Sequence, residues 1–243
     1  MVFLGTKRRE ILNDFAPFSY LWLAGSDAQC SAIMTTNIIP KQIGDICKYL
    51  CARDISLSRI TADGRINAAF NEDEIISIIQ ERFDISVPRC RAWYDFAIED
   101  GDLFIPVNIK VTDTTHADNL NCKLGLYYAL TGRKPAFQNE IGWLPFFKEL
   151  HKNFGYDKTH DYYFIIVNKR NSSDVFCTTL KSLKTLQPNG NNLPFQSRWK
   201  DNRELQCRSF DSAAEMLLST LGQSIKLRAD IYFNFKRFFP EYV

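Results

Sequence analysis

Two apolar stretches near the middle of the chain alternate with period two and are joined by a turn signal. The first runs Ala92-Trp93-Tyr94-Asp95-Phe96-Ala97-Ile98 and the second runs from Leu103 to Val111. Between them, Asp100-Gly101 predicts a type I′ hairpin. Residues i and i+2 of a strand share a face. Trp93, Asp95 and Ala97 therefore point one way in the first arm, and Phe104, Pro106, Asn108 and Lys110 share a face in the second. The outer face carries Leu103, Ile105, Val107, Ile109 and Val111. With Asp100-Gly101 as the loop, Asp95 falls opposite Pro106, which makes Asp95 and Asn108 diagonal neighbours ~7–8 Å apart. An acid, an amide and a lysine on strands this apolar are costly unless a ligand or partner satisfies them.

The flanking pattern predicts helices and further strands. Residues 1–70 read as mostly helical. Pro40 opens a helix with Ile43, Ile46, Cys47 and Leu50 on one side. Asn71 begins another, with Glu74 completing a capping box. A helix is expected from about Ala117 to Leu130, ended by Gly132, and another carries Trp143, Phe146, Phe147 and Leu150. The run Asp161 to Asn168 reads as a buried central strand. Asp174 to Leu180 is its neighbour across a loop from Lys169 to Ser173. Residues 187 to 204 form a long polar loop. Ser212-x-x-Glu215 opens a helical region reaching Phe239, with a break near Gly222. This alternation predicts an α/β fold: a single domain with a mixed central β-sheet flanked by helices. Along residues 1–243 it divides into a helical N-terminal region (1–70), a core of about 71–180, and a loop with C-terminal helices (187–243).

Composition narrows the chemistry. The chain has 243 residues, 45% of them hydrophobic, and a net charge of +2. That suits one ordinary to large domain, and the charge is too small to announce a nucleic-acid binder by itself. Seven cysteines form no CxxC pair and only three histidines are present. Zinc is therefore disfavoured, and the scatter of thiols suits a reducing cytoplasm. Lys7-Arg8-Arg9 before Phe15 to Ala24 has the outline of a signal peptide. Glu10, Asn13, Asp14 and Pro17 interrupt it, so a packed N-terminal helix is expected instead of export. No stretch is long enough to span a membrane.

Tyr94-Asp95, a spacer, and Asn108-Ile109-Lys110 together resemble the PD-(D/E)xK nuclease superfamily, and within it the type II restriction endonucleases. The family pattern is an Asp at the end of one strand, then an acid, any residue and Lys on the next. Two positions depart from it: Tyr94 precedes the Asp, and Asn108 stands where the second acid belongs. The run Lys110 to Thr115 leading onward is also family-like, and the resemblance covers about residues 71 to 131. It implies a restriction-endonuclease-like fold and Mg²⁺ as cofactor. It also implies hydrolysis of double-stranded DNA to a 5′-phosphate product, and a homodimer reading a palindromic site in a bacterial or archaeal cytoplasm.

On that resemblance Asp95 and Asn108 hold the metal, and Lys110 orients or deprotonates the attacking water. The alternatives are a solvated strand-end acid and a surface lysine. Asn108 admits three readings. It is a natural variant helped by a nearby carboxylate, an Asp→Asn change made to trap uncut DNA, or the mark of an inactive site. Glu72 is the extra carboxylate, because Ile75, Ile76, Ile79 and Phe83 bracket it on the helical wheel. The competing account is an acid favoured in a first helical turn. Lys123, within the apolar arc of its helix, either faces the substrate phosphate or snorkels outward. Asn191, Asn192, Gln196, Arg198, Lys200 and Arg203 are the DNA-contact candidates of the 187–204 loop, since amides and guanidinium groups read base edges. Lys169, Arg170 and Asn171 are a weaker set, and Asp113, Asp118, Asn119 and His116 are fallback residues near the site. The alternatives to a restriction enzyme are a repair or junction nuclease, a DNA-binding relative that no longer cleaves, and an unrelated α/β domain.

Overall fold

The computed structural model describes residues 38–53, 55, 64–89 and 92–243, with the backbone alone for 64–70. The expectations for residues 1–37, including the packed N-terminal helix, lie outside these. Asn37–Val243 form one compact unit.

A four-stranded mixed sheet carries the site. Strands β1 (Phe96–Asp100), β2 (Leu103–Thr112), β4 (Tyr163–Asn168) and β5 (Asn171–Thr179) lie side by side in that order. β1 and β2 are antiparallel, β2 and β4 parallel, β4 and β5 antiparallel. Ser86 extends the sheet beyond β1 by exchanging two backbone hydrogen bonds with Ala97. The buried strand expected at 161–168 is thus β4, held between β2 and β5. Its partner begins at Asn171, earlier than expected, because Lys169 and Arg170 alone make the turn.

The hairpin register differs from the expected one. Asp100 pairs with Leu103, so Gly101-Asp102 is the loop, and Gly101 takes the left-handed conformation (φ 56°) that glycine tolerates. Phe96 opposes Val107, and the Asp95 N–H donates to the Val107 carbonyl at 2.9 Å. This two-residue slide keeps every side chain on its expected face, because strand periodicity is also two.

Both faces of the sheet are covered. Ile105, Val107, Ile109 and Val111, expected on an outer face, are buried with Phe96, Ile165 and Val167 beneath helices α1 (Lys41–Cys51) and α2 (Gly64–Gln80). α1 follows Pro40 and buries Ile43, Ile46, Cys47 and Leu50 as the pattern predicts. α2 starts at Gly64, so Asn71 is an interior helical residue and no cap; its side-chain oxygen is buried without a partner among the described residues. Packing of Ile75 and Ile79 on the sheet outweighs the local capping signal.

The opposite face packs Phe164 and Ile166 against α3 (Lys123–Thr131), α4 (Trp143–Asn153), α5 (Phe210–Phe238) and a second sheet. That sheet is three-stranded, in the order β3 (Ala117–Leu120), β7 (Phe195–Arg198), β6 (Gln187–Pro188). Two expectations fail here. Residues 117–120 form a strand, and the helix begins only at Lys123. The segment 187–204 is β6, β7 and a 3-10 turn (Trp199–Asn202) instead of a structureless loop. β3 and β7 satisfy each other's backbone, and the fully buried Trp199 donates its indole N–H to Asp118 at 2.9 Å. A long-range partner therefore overrides helix propensity.

α5 is capped by Ser209, whose hydroxyl accepts the Ser212 N–H, and it runs unbroken through Gly222 for 29 residues. Its first half buries Ala213, Ala214, Leu217 and Leu221. Its second half exposes Leu227, Ile231, Phe235 and Phe238. No helix among the described residues is long and apolar enough to cross a membrane.

Candidate active site

The end of β1 and the middle of β2 bring Asp95 and Asn108 together. Asp95 lies just before β1, and its side chain meets that of Asn108 across the hairpin. Asn108 donates its carboxamide N–H to Asp95 Oδ2 at 2.7 Å, and the Ile109 backbone N–H donates to the same oxygen at 2.6 Å. Burial raises the Asp95 carboxyl above its ordinary value, against the opposing pull of the Ile109 N–H and Lys110. Asp95 Oδ1 and Asn108 Oδ1 have no hydrogen-bond partner among the described residues.

Lys110 follows on the same face, aligned with Ile166 of β4. Its ammonium is half-buried and makes no hydrogen bond among the described residues. It lines a cavity of about 110 Å³ together with Asn108, Trp93, Cys122 and Tyr162. Tyr162 donates its hydroxyl to the Trp93 carbonyl at 2.6 Å and so ties the segment before Asp95 to β4. Gly125 of α3 makes this possible, since a Cβ there would stand 2.6 Å from the Tyr162 ring.

Glu72 comes from α2. Burial pushes its carboxyl up to about 7; Lys110 opposes this shift, while Asp95 and Asp118 reinforce it. Glu72 therefore shares an electrostatic environment with Asp95 and Lys110. Among the described residues no three His, Cys, Asp or Glu side chains form a metal cluster. The oxygen donors at the hairpin are one carboxylate and one amide, and the Glu72 carboxyl lies near enough to feel the charges of Asp95 and Lys110. Mg²⁺ takes hard oxygen ligands, keeps several waters and needs only one or two protein carboxylates. The donor chemistry of Asp95, Asn108 and Glu72 fits that requirement.

The remaining candidates divide. A second cavity of about 450 Å³ is lined by Asn191, Asn192 and Lys123, together with Asn121, Asn139, Trp143 and Arg228. Lys123 donates to the Ile141 carbonyl at 2.6 Å and lies 5.1 Å from the Trp143 ring centre. Arg203 is bound through two hydrogen bonds to Asp174 of β5, at 2.8 and 2.6 Å, which makes it a structural clamp. Gln196 and Arg198 lie within β7, where Arg198 Nε is buried without a partner among the described residues; Lys200 is exposed. Arg170 pairs with Asp113, whose carboxyl is held well below the usual range, chiefly by hydrogen bonds from Thr115. Asp118 is engaged by Trp199, Asn119 by Asn189, and the exposed His116 by Asp113.

The sequence pattern missed Asn121, Asn139, Trp143 and Arg228. Asn121 fell inside an expected helix, and Arg228 reaches the cleft only because α5 does not break. No protein-family model and no curated protein matches this chain.

Proposed function

We propose that the protein is a Mg²⁺-dependent type II restriction endonuclease. One observation carries the reading: the side chains of Asp95 and Asn108 meet at the start of the hairpin, and Lys110, which makes no hydrogen bond among the described residues, shares the strand face of Asn108. Asp95, Asn108 and Glu72 would hold the ion, which when bound neutralises charge building on the phosphate. The Lys110 ammonium orients the attacking water and stabilises the developing oxyanion, while the water's proton passes to solvent and the leaving 3′-oxygen takes one up. The water oxygen bonds to phosphorus as the P–O3′ bond breaks, leaving a 3′-hydroxyl and a 5′-phosphate.

The homodimer belongs to the same proposal, and α5 offers it a surface. Leu227, Ile231, Phe235 and Phe238 recur at helical spacing and are all exposed. Asp230 and Arg237 lie on one flank of that stripe. Antiparallel pairing of two copies sets each flank against its equivalent, so Asp230 meets Arg237 of the second copy twice. Sedimentation of the wild type and of an Ile231→Glu/Phe235→Glu variant tests this: a dimer turning monomeric is expected, and a monomeric wild type removes the pairing.

A second reading is favoured by the carboxamide N–H of Asn108 pointing at Asp95 where a second ligand oxygen would serve cleavage. It is a DNA-binding relative without cleavage. Incubation with plasmid and phage DNA in Mg²⁺ separates the readings. Discrete fragments are expected. Random nicking points to a different nuclease, and a gel shift without cleavage points to the binder. Neither cleavage nor a shift removes both readings.

A further inference from the structure

We infer that the cleft lined by Asn121, Asn139, Asn191 and Asn192 reads base edges of DNA beside the scissile phosphate, with adenine as its preferred partner. This rests on the nuclease reading and extends it to specificity. The cleft, about 450 Å³, and the cavity at Asn108 and Lys110 share Asn121 and Asn139 as lining residues. A duplex whose phosphate lies at Lys110 therefore continues into the cleft.

Among the described residues the lining contains no carboxylate, and its two cations are already engaged. Lys123 is held by the Ile141 carbonyl, and Arg228 donates to the Gly190 carbonyl at 2.8 Å and to the Asn191 carbonyl. What remains free is amide: none of the four carboxamides has a hydrogen-bond partner among the described residues. A surface that only gripped phosphates would present free ammonium and guanidinium groups instead. A carboxamide matches adenine in the major groove, donating to N7 and accepting from N6.

Asn191 and Asn192 are also fixed in advance. Buried Asn189 accepts both of their backbone N–H groups, at 3.1 and 2.9 Å. Its own N–H donates to Ser224 of α5 at 2.9 Å, and its side chain donates to Asn119 at 2.7 Å. Gly190 lies so close to α5 that a Cβ would stand 2.8 Å from Leu227 Cβ. A turn clamped this way presents its side chains with little ordering left to do on binding.

The test selects duplexes from a random pool in Ca²⁺, using the full-length wild type and an Asn191→Ala/Asn192→Ala variant of unchanged melting temperature. The wild type is expected to enrich a motif containing A·T pairs. The variant should lose about tenfold or more of that preference while keeping salt-sensitive binding to any duplex. Replacing the motif adenines by 7-deazaadenine should weaken the wild type by about tenfold and leave the variant unaffected. A motif unchanged in the variant, or one of G·C pairs alone, overturns the inference while cleavage can stand. A wild type that binds no duplex overturns the nuclease reading along with it.

Discussion

Asn108 donates its carboxamide N–H to Asp95 Oδ2 at 2.7 Å across the hairpin, so the amide stabilises the carboxylate that a second acid would repel. Asn108→Asp replaces that donor with a like charge. Without metal at pH 8, the variant should be about 1–3 kcal/mol less stable than the wild type. Mg²⁺ or Mn²⁺ should then raise its melting temperature further than the wild type's, because binding to the folded state alone stabilises it. Thermal melts with and without the ion decide; equal ion-induced shifts in both proteins would falsify cation binding at this pair.

Asp95 and Lys110 are expected to fail differently. Both Asp95→Ala and Lys110→Ala should lower DNA cleavage by at least about 10²-fold. Asp95→Ala also strips the acceptor from the Ile109 N–H and should cost about 1–3 kcal/mol of stability. Lys110 donates no hydrogen bond among the described residues, so Lys110→Ala should unfold in urea close to the wild type. A Lys110→Ala protein that cleaves normally removes the lysine from the chemistry.

Glu72 makes stability depend on pH. Its folded-state pKa is raised from 4.5 to about 7 by burial, so folding favours the protonated carboxyl. Its contribution is fully present below pH 4.5 and is lost as pH rises towards 7. Glu72→Gln should therefore gain on the metal-free wild type in melts above pH 7, and the difference should narrow towards pH 4.5. A difference independent of pH would mean that Glu72 does not titrate in this window.

Gly125 lets α3 approach β4. Gly125→Ala puts a methyl group where the Tyr162 ring lies, 2.6 Å from the added carbon, and Tyr162 is fully buried. Overpacking of this kind typically costs about 1–3 kcal/mol, measurable by urea unfolding. The displaced ring also loosens the Trp93 carbonyl that its hydroxyl holds, so cleavage should fall with stability. Wild-type stability in Gly125→Ala would refute the close approach.

Features that depend on short-range periodicity were already legible along the chain. The faces of the hairpin, the apolar side of α1 and the apolar run of β4 follow from a residue's near neighbours. The placement of Asn108 and Lys110 on one face was legible for the same reason: a strand's side chains keep their face when the register slides by two. The partial burial of Glu72 was legible because its helix keeps Ile75 and Ile79 on the same side.

Features that depend on partners distant in sequence were set only by the folded arrangement. Residues 117–120 became a strand only because β7 lies beside them and Trp199 needs Asp118 for its buried N–H. Asn71 became a helix interior because packing on the sheet extends α2 toward Gly64. Arg203, which resembled a DNA contact, was taken by Asp174. The asparagine cleft gathers residues from the β3–α3 junction, the segment before α4, the turn after β6, and α5. Hydrogen bonds from Asn189 and the close fit of Gly190 hold that arrangement, and neither leaves a periodic trace in the chain.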